Sequence, residues 1–319
     1  SDHARRYPPG VRFDFTSVLG LVQLLALGLA VYLIALIWHT MRRLTHPPRR
    51  TYAHAIARGR PGDPGEALDG RGFESWTLKS RGLDLPVWDV PGDQPDGPVV
   101  IMLHGWGDGR VGALTRLPAI VPLASRILMP DLPGNGEAPG ICSLGTRESE
   151  DLGVLIERVQ DDAHRLIVFG WSMGAGIAIQ AGAEGAPIDA IIAEAPYRLA
   201  KTPARNVLRN AGLPHTANLR PALALLGVRF GLGPRWSGFD RAARAARLAS
   251  PLLVIHGADD EVCPIADARE IVARAPNARL CEIEHGRHND LWTVEANRER
   301  ASEAIQAFIA PERRGGPAS

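Results

Sequence analysis

From residue 99 onward, short apolar runs recur along the chain and are separated by polar, glycine-rich stretches. Runs of four or five apolar residues bounded by turn residues are typical of strands that are buried on both faces of a parallel sheet. The predicted strands are residues 99–103, 126–129, 166–169, 190–193, 252–255 and 280–283. Residues 74–78 and 86–90 instead alternate between polar and apolar positions, which predicts an opening antiparallel pair.

Helical patterns lie between these strands, at residues 112–124, 146–159 and 175–181. This alternation predicts an α/β fold in which helices flank a mostly parallel central sheet. Residues 196–250 are longer than a normal connection between a strand and the next element. They carry further helical patterns at 198–211 and 240–248, so we predict a small helical cap there. Within the cap, residues 219–230 are either the lining of an acyl pocket or a plain structural insertion.

An uncharged apolar stretch precedes this domain and runs from Phe15 to Trp38. Its nearly all-apolar part runs from Val18 to Trp38, and these 21 residues at a rise of about 1.5 Å each reach about 30 Å, the thickness of the hydrocarbon core of a bilayer. A helix of this length in a soluble protein would show a polar face, and a cleaved signal peptide would be shorter and end at small residues. We therefore predict one transmembrane helix over residues 15–40, with Tyr32 and Trp38 near one membrane interface.

Residues 41–72 are dense in Arg, Pro and Gly, a composition that disfavours helices and strands. We interpret them as a linker to a catalytic domain that folds without them. Six arginines follow the span and three precede it, so the positive-inside rule predicts that the catalytic domain lies in the cytoplasm. These are Arg42, Arg43, Arg49, Arg50, Arg58 and Arg60 after the span, and Arg5, Arg6 and Arg12 before it. The same arginines can contact anionic lipid headgroups.

The length of 319 residues and the net charge of +1 suit one anchor and one catalytic domain, and they give no sign of nucleic-acid binding. We divide the chain into a tail (1–14), the transmembrane helix (15–40), the linker (41–72), the catalytic domain (73–310, cap at about 196–250) and a second tail (311–319).

The cysteines Cys142, Cys263 and Cys281 form no disulfide framework, which fits a reducing compartment. No pair or triplet of residues has the spacing of metal ligands.

The strongest chemical signal is the sequence Gly170-Trp171-Ser172-Met173-Gly174. A G-x-S-x-G between a strand and a helix is the setting of a nucleophile elbow, which lifts a serine hydroxyl clear of the sheet. Glycines flank the serine because side chains there would collide with the neighbouring strand or helix. An aspartate-containing segment and a histidine-containing segment follow further along the chain. The order Ser, Asp, His differs from the orders found in the two main serine-protease folds.

Five segments together resemble the α/β-hydrolase superfamily, and the resemblance covers about residues 73–310. They are H-G-W-G-D-G (104–109), D-L-P-G-N-G (131–136), G-W-S-M-G (170–174), G-A-D-D-E-V-C-P (257–264) and G-R-H-N-D (286–290). Asn135 stands where a histidine is common in the family, which is a departure outside the catalytic triad.

The resemblance implies a role for each matching residue. Ser172 is expected to be the nucleophile, His288 its base, and Asp260 the acid that orients the histidine. The backbone N–H groups of Met173 and Trp106 are expected to form the oxyanion hole, where losing one donor typically costs about 2.7–4 kcal/mol of transition-state stabilisation.

Several residues compete for these roles. Asp259 neighbours Asp260, although the G-x-x-D spacing of the family selects Asp260. Glu194, at the end of a predicted strand, is an alternative acid. The remaining histidines are expected to be structural or exposed: His104 in the oxyanion loop, His256 at a strand end, His285 in a loop, and His46, His54, His164 and His215 at the surface.

These features predict a membrane-anchored serine hydrolase that acts through an acyl-enzyme without a cofactor. An esterase, thioesterase or lipase is favoured, because the membrane would concentrate lipid-derived esters beside the enzyme. An aminopeptidase-like hydrolase and a non-catalytic lipid-binding or scaffold protein are the alternatives. A dehalogenase or an epoxide hydrolase would need a carboxylate at the position of Ser172. A histidine base predicts that activity rises with pH through an apparent pKa of about 6–7.

Overall fold

A computed structural model describes residues 15–310 of the chain. The predicted tails, with Arg5, Arg6 and Arg12, lie outside the described residues. The strands are β1 (Glu74–Ser80), β2 (Leu83–Pro91), β3 (Val99–Leu103), β4 (Arg126–Pro130), β5 (Leu166–Trp171), β6 (Ala190–Glu194), β7 (Leu252–Gly257) and β8 (Ala278–Ile283). In the described residues they form one eight-stranded sheet in the order β1-β2-β4-β3-β5-β6-β7-β8.

The predicted sheet architecture is confirmed. β1 pairs antiparallel with β2, and β2 pairs antiparallel with β4, while every other pairing is parallel. All residues of β3, β5, β6 and β7 are buried, which explains their continuous apolar sequences. β1 lies at the edge of the sheet and keeps exposed positions along its length.

Helices cover both faces of the sheet, so that two apolar cores form. The helices are α1 (Phe15–Thr45), α2 (Tyr52–Ile56), α3 (Pro64–Ala67), α4 (Leu117–Ile120), α5 (Glu148–Val159), α6 (Met173–Ala183), α7 (Lys201–Asn210), α8 (Leu219–Arg229), α9 (Arg241–Ala245), α10 (Ile265–Arg274) and α11 (Glu295–Ile309). Alternate residues of each strand face the two cores: Ile101 packs with α5 and α6, whereas Met102 packs with α4 and α11.

The helix predicted at residues 112–124 is a series of short turns instead. A 3-10 turn at Arg110–Thr115 precedes α4, and another at Val121–Leu123 follows it. The reason is that Pro118 and Pro122 cannot donate backbone hydrogen bonds and interrupt a regular helix.

Helix α1 is long and apolar enough to cross a membrane, by length and composition. Its leucines are exposed on the protein, Leu24 to 68 %. The helix continues to Thr45, five residues beyond the predicted end. This last turn enters the body of the protein, because Leu44 is only 2 % exposed and the Asn218 side-chain amide donates to the Thr40 hydroxyl at 2.6 Å.

The segment after α1 differs from the linker that its composition predicts. It contains α2 and α3, whose N-termini are capped by the side chains of the preceding residues, Thr51 and Asp63. Ala55 is buried, and the Cys142 N–H donates to the Thr45 carbonyl at 3.0 Å. Few residues make these contacts and they follow no period, so the sequence pattern did not reveal them. The segment therefore packs against the catalytic domain, and the expectation that this domain folds without the segment stays a prediction.

The order of the strands fixes where a site can form. From β3 the chain moves to β4 on one side, and from β5 it moves to β6 on the other side. The crevice at the carboxyl ends of β3 and β5 is thus a topological switch point, the usual binding position in open α/β sheets.

Candidate active site

Ser172 lies between β5 and α6 in a strained backbone conformation, with φ of 53° and ψ of −110°. Such a conformation costs about 1–3 kcal/mol and persists only where its surroundings enforce it. Here the Ser172 N–H donates to the Glu194 carbonyl at 2.8 Å, which holds the turn to β6. The sharp turn leaves Ser172 half-buried at the floor of a cavity.

The glycines of the elbow make this turn sterically possible. A Cβ atom on Gly174 would lie 2.1 Å from the carbonyl oxygen of Leu103 in β3, and one on Gly170 would lie 2.3 Å from the backbone of Gly174. The neighbouring strand and helix therefore exclude any side chain at either position.

Asp260 and His288 follow β7 and β8 and form a hydrogen-bonded pair. The His288 Nδ1–H donates to Oδ2 of Asp260 at 2.7 Å. The other carboxylate oxygen, Oδ1, accepts the N–H groups of Val262 and Cys263 at 2.8 and 2.7 Å. Asp260 is buried, whereas the His288 side chain is 12 % exposed and lines the same cavity as Ser172. The carboxylate is thus fixed in position and fixes the histidine in turn.

Burial alone would lower the pKa of His288, but the adjacent Cys263 and the hydrogen-bonded Asp260 carboxylate outweigh it and raise the pKa well above its ordinary value. Burial raises the pKa of the Cys263 thiol, an effect that His288 and Ser172 partly offset. Cys263 is therefore a neighbour of the pair that spacing alone did not identify. Donor atoms of Asp260, Cys263 and His288 lie within 4.8 Å of one another, although both carboxylate oxygens already accept the hydrogen bonds described above.

The N–H groups expected to form an oxyanion hole lie on two elements beside Ser172. Met173 is the first residue of α6, where the helix dipole favours negative charge. Trp106 lies in the loop after β3. Among residues 15–310, neither backbone N–H has a hydrogen-bond acceptor. The loop is held by the Trp106 indole, which donates to the Leu44 carbonyl at 2.7 Å, and by the Gly107 N–H, which donates to the Asn135 side chain at 2.9 Å.

The alternative acid residues are engaged elsewhere. Glu194 is 1 % exposed and binds the Arg116 guanidinium through both carboxylate oxygens, at 2.8 and 2.5 Å. It also accepts the Trp292 indole N–H at 2.7 Å. Asp259 is exposed and lies 3.4 Å from the exposed ring of His285, so these two residues form a surface pair.

Two of the other histidines have structural contacts, and a third lines the cavity. His104 Nε2 accepts the Leu132 N–H at 2.9 Å, which leaves Nδ1–H to donate to the Gly105 carbonyl at 2.8 Å. His256 is fully buried, contacts the Cys263 carbonyl through Nε2 at 2.7 Å, and has a pKa lowered by burial. His54 differs from the surface position expected of it, because it is half-buried and lines the cavity.

The cavity above Ser172 has a volume of about 1070 Å³, at the upper end of the range for small-molecule sites. Its apolar side comes from Leu144, Tyr197 and helix α7, with Ala204 and Val207. Helix α8, which covers the predicted pocket-lining segment 219–230, does not contribute to it. Helix α8 packs against α1 instead. Of the two alternatives for residues 219–230, the structural insertion therefore fits, and the lining of an acyl pocket does not.

Two further components of the cavity were not predicted. Arg116 stacks on the Trp171 ring, with Cζ 4.1 Å from the centroid, and forms a buried wall with Glu194. Another wall comes from the segment after α1, including Pro48, Arg50 and Ala55. Nothing in the local sequence marked either element, since both depend on contacts between distant parts of the chain.

Comparison with known proteins agrees with this architecture. A sequence profile of the alpha/beta hydrolase family matches residues 100–304. The chain therefore belongs to the alpha/beta hydrolase family.

The chain is similar to two curated esterases. It is 26 % identical over 240 residues to the pimeloyl-[acyl-carrier protein] methyl ester esterase of Aromatoleum aromaticum, over 60 % of this chain and 91 % of that one. It is also 26 % identical over 257 residues to the enzyme of the same name from Xanthomonas campestris, over 67 % and 96 % of the two chains.

Solved structures share the fold at lower identity. An esterase of Pyrococcus furiosus matches with a TM-score of 0.64 and 20 % identity, over 84 % of this chain and 97 % of the other. Est1E of Butyrivibrio proteoclasticus, solved with ferulic acid, matches with a TM-score of 0.58 and 17 % identity, over 73 % and 97 %.

The steric account of the elbow predicts a contrast between two helical glycines. Gly174→Ala should lower the stability by about 3 kcal/mol or more, because the new methyl group meets the backbone of β3. Gly153→Ala, in α5, meets no atom within 4 Å and should raise the stability by up to about 1 kcal/mol. Thermal unfolding in detergent measures both changes. Equal effects of the two substitutions would contradict this account of the turn.

Proposed function

We propose that the protein is a serine esterase in which Ser172 is the nucleophile, His288 the general base and Asp260 the orienting acid. The observation that carries this proposal is the 2.7 Å hydrogen bond from His288 to the buried Asp260, in a histidine that lines the same cavity as the strained Ser172. Neutral serine is a weak nucleophile and needs such a base.

In the proposed reaction, the Ser172 hydroxyl oxygen attacks the acyl carbonyl carbon while His288 takes the hydroxyl proton. The N–H groups of Met173 and Trp106 stabilise the negative charge that develops on the carbonyl oxygen. His288 then donates its proton to the leaving alcohol, which departs and leaves an acyl-serine. A water molecule, deprotonated by His288, hydrolyses this ester and regenerates the enzyme.

An ester is the bond class that the relatives favour. The curated relatives are methyl ester esterases at 26 % identity, and we carry over the ester bond but not their particular substrate. The apolar side formed by α7 suits an acyl chain, and the size of the cavity leaves room for a large leaving group.

We further propose that α1 anchors the protein to a membrane as a single span, with the catalytic domain at about residues 73–310 on the cytoplasmic side. The apolar composition of α1 and its exposed leucines support a lipid environment. A signal sequence satisfies the same criteria of length and position. Against cleavage after Met41 stands the contact of Thr40 with Asn218, which belongs to the folded protein and would be lost.

The nucleophile is tested with a fluorophosphonate probe and short-chain esters. The wild-type protein should be labelled and should hydrolyse the esters, and Ser172→Ala should lose both properties because it removes the attacking oxygen. Labelling that persists in Ser172→Ala would place the nucleophile elsewhere. Faster cleavage of aminoacyl amides than of matched esters would favour the peptidase alternative.

The base and acid are tested through the pH dependence of kcat/KM. Only neutral His288 can accept the serine proton, so its raised pKa should move the midpoint above the ordinary value of about 6.5. Asp260→Asn should lower turnover by roughly 10⁴-fold, as in serine proteases, and should shift the midpoint downward because the carboxylate that raises the pKa is gone. Asp259→Asn is the matched control at an exposed position and should change neither quantity. A wild-type midpoint below about 6.5, or equal losses in both variants, would contradict these roles.

The anchor is tested by extraction and protease protection. The full chain should stay in membranes at alkaline carbonate, because α1 is held by lipid, and the catalytic domain should resist protease added to intact cells. Digestion from outside would reverse the proposed orientation, and recovery of a mature protein that begins beyond Met41 would identify a cleaved signal.

A further inference from the structure

The segment between α1 and α3 forms a wall of the cavity that contains Ser172, although it precedes the family-matched region at residues 100–304. Several contacts hold this wall in place. A Cβ atom on Gly109 would lie 2.8 Å from the Arg50 carbonyl, so the glycine permits the wall to approach the oxyanion loop. At the α3 end of the segment, the Glu66 carboxylate accepts hydrogen bonds from the Tyr52 hydroxyl at 2.7 Å and from the Gly62 N–H at 2.8 Å.

This wall presents four exposed arginines to the cavity, and we call them the arginine rim: Arg49, Arg50, Arg58 and Arg60. The nearby carboxylates do not neutralise it. Among the rim arginines, Asp108 pairs only with Arg50, at 3.7 Å. Glu194 forms its ion pair with Arg116, deeper in the cavity. Within the described residues, the other three rim arginines form no ion pair with a carboxylate.

The local electrostatics agree with an excess of positive charge. Burial and then the Arg58 guanidinium lower the pKa of His54, which lines the same wall; Arg50 and Arg60 add to this effect, and Asp108 partly offsets it. Arg58 also contacts the His54 ring, with 2.9 Å from Nη1 to Nδ1. Guanidinium groups bind phosphate and carboxylate oxygens in a two-pronged geometry, and several together suit a group with more than one charge.

We propose that the arginine rim binds a phosphate group on the substrate, so that the preferred ester carries its acyl group at Ser172 and a phosphate at the mouth of the cavity. This inference rests on the proposed esterase activity and adds the class of leaving group. A phospholipid headgroup and a water-soluble phosphate ester share the required chemistry, and the position of the rim directly after α1 makes both accessible.

The test uses the full-length protein in detergent and two soluble esters with the same short acyl chain, acylglycerol and acylglycerol 3-phosphate. The wild type should prefer the phosphate ester in kcat/KM by about tenfold or more, as several charge-assisted hydrogen bonds would give. The triple variant Arg49→Gln, Arg58→Gln, Arg60→Gln should lower this ratio by a similar factor. The corresponding triple Lys variant keeps the charge but loses the two-pronged geometry, so its ratio should lie between those of the wild type and the Gln variant.

The matched control removes three exposed arginines that do not line the cavity, Arg209, Arg247 and Arg279, by the same change to Gln. It should leave the ratio unchanged. A second arm repeats the comparison with long-chain esters in vesicles. If the enzyme prefers the phosphate ester among the soluble esters, the substrate is a soluble phosphate ester. If it prefers the phosphate ester only in vesicles, the substrate is a lipid.

The outcomes separate this inference from the function on which it rests. A wild-type protein that hydrolyses neither ester would contradict the proposed esterase. A protein that hydrolyses both esters in a Ser172-dependent manner, but without preference in either arm, would overturn the arginine rim alone. An equal loss of the ratio in the rim variant and in the control would also overturn it, because net charge would then explain the effect.

Discussion

The close approach of α6 to β3 is the constraint on which the site depends. With no side chain on Gly174, the helix lies against the Leu103 carbonyl, and the turn before it forces Ser172 to a φ of 53°. That geometry points the serine toward the crevice between β3 and β5, which the strand order opens. β7 and β8 then deliver Asp260 and His288 to the same edge. The local strain is stabilised by the fully buried strands around it.

A second contact joins the apolar helix to the site. The Trp106 indole, in the loop that also offers a backbone N–H to the cavity, donates to the carbonyl of Leu44 at the end of the apolar helix. The end of α1 is thus physically joined to the proposed oxyanion loop, and the segment after it forms one wall of the cavity. Membrane attachment and substrate recognition would then involve the same stretch of chain.

Features that depend on local sequence pattern could be predicted from the sequence. Features that depend on contacts between distant parts of the chain could not. Buried strands have continuous apolar sequences, and the elbow has a steric need for glycine, so the sheet and Ser172 were accessible to sequence reasoning. The wall after α1 was not, because isolated residues such as Leu44 and Ala55 form no periodic pattern. Similarly, α7 rather than α8 lines the cavity, since composition does not reveal which face of a cap lies inward. The raised pKa of His288 also depends on Cys263 and Asp260, which the fold brings beside the histidine from a different loop.

The most direct test of this account is a crystal structure of the protein after reaction with an alkyl phosphonate, whose tetrahedral phosphorus mimics the proposed intermediate. The account predicts a covalent bond from Ser172 Oγ to phosphorus. One phosphonyl oxygen should lie about 2.7–3.1 Å from the N–H groups of both Met173 and Trp106. The alkyl group should lie along α7, and His288 should keep its hydrogen bond to Asp260. A phosphonate on another residue, or an oxygen that faces away from both N–H groups, would contradict it.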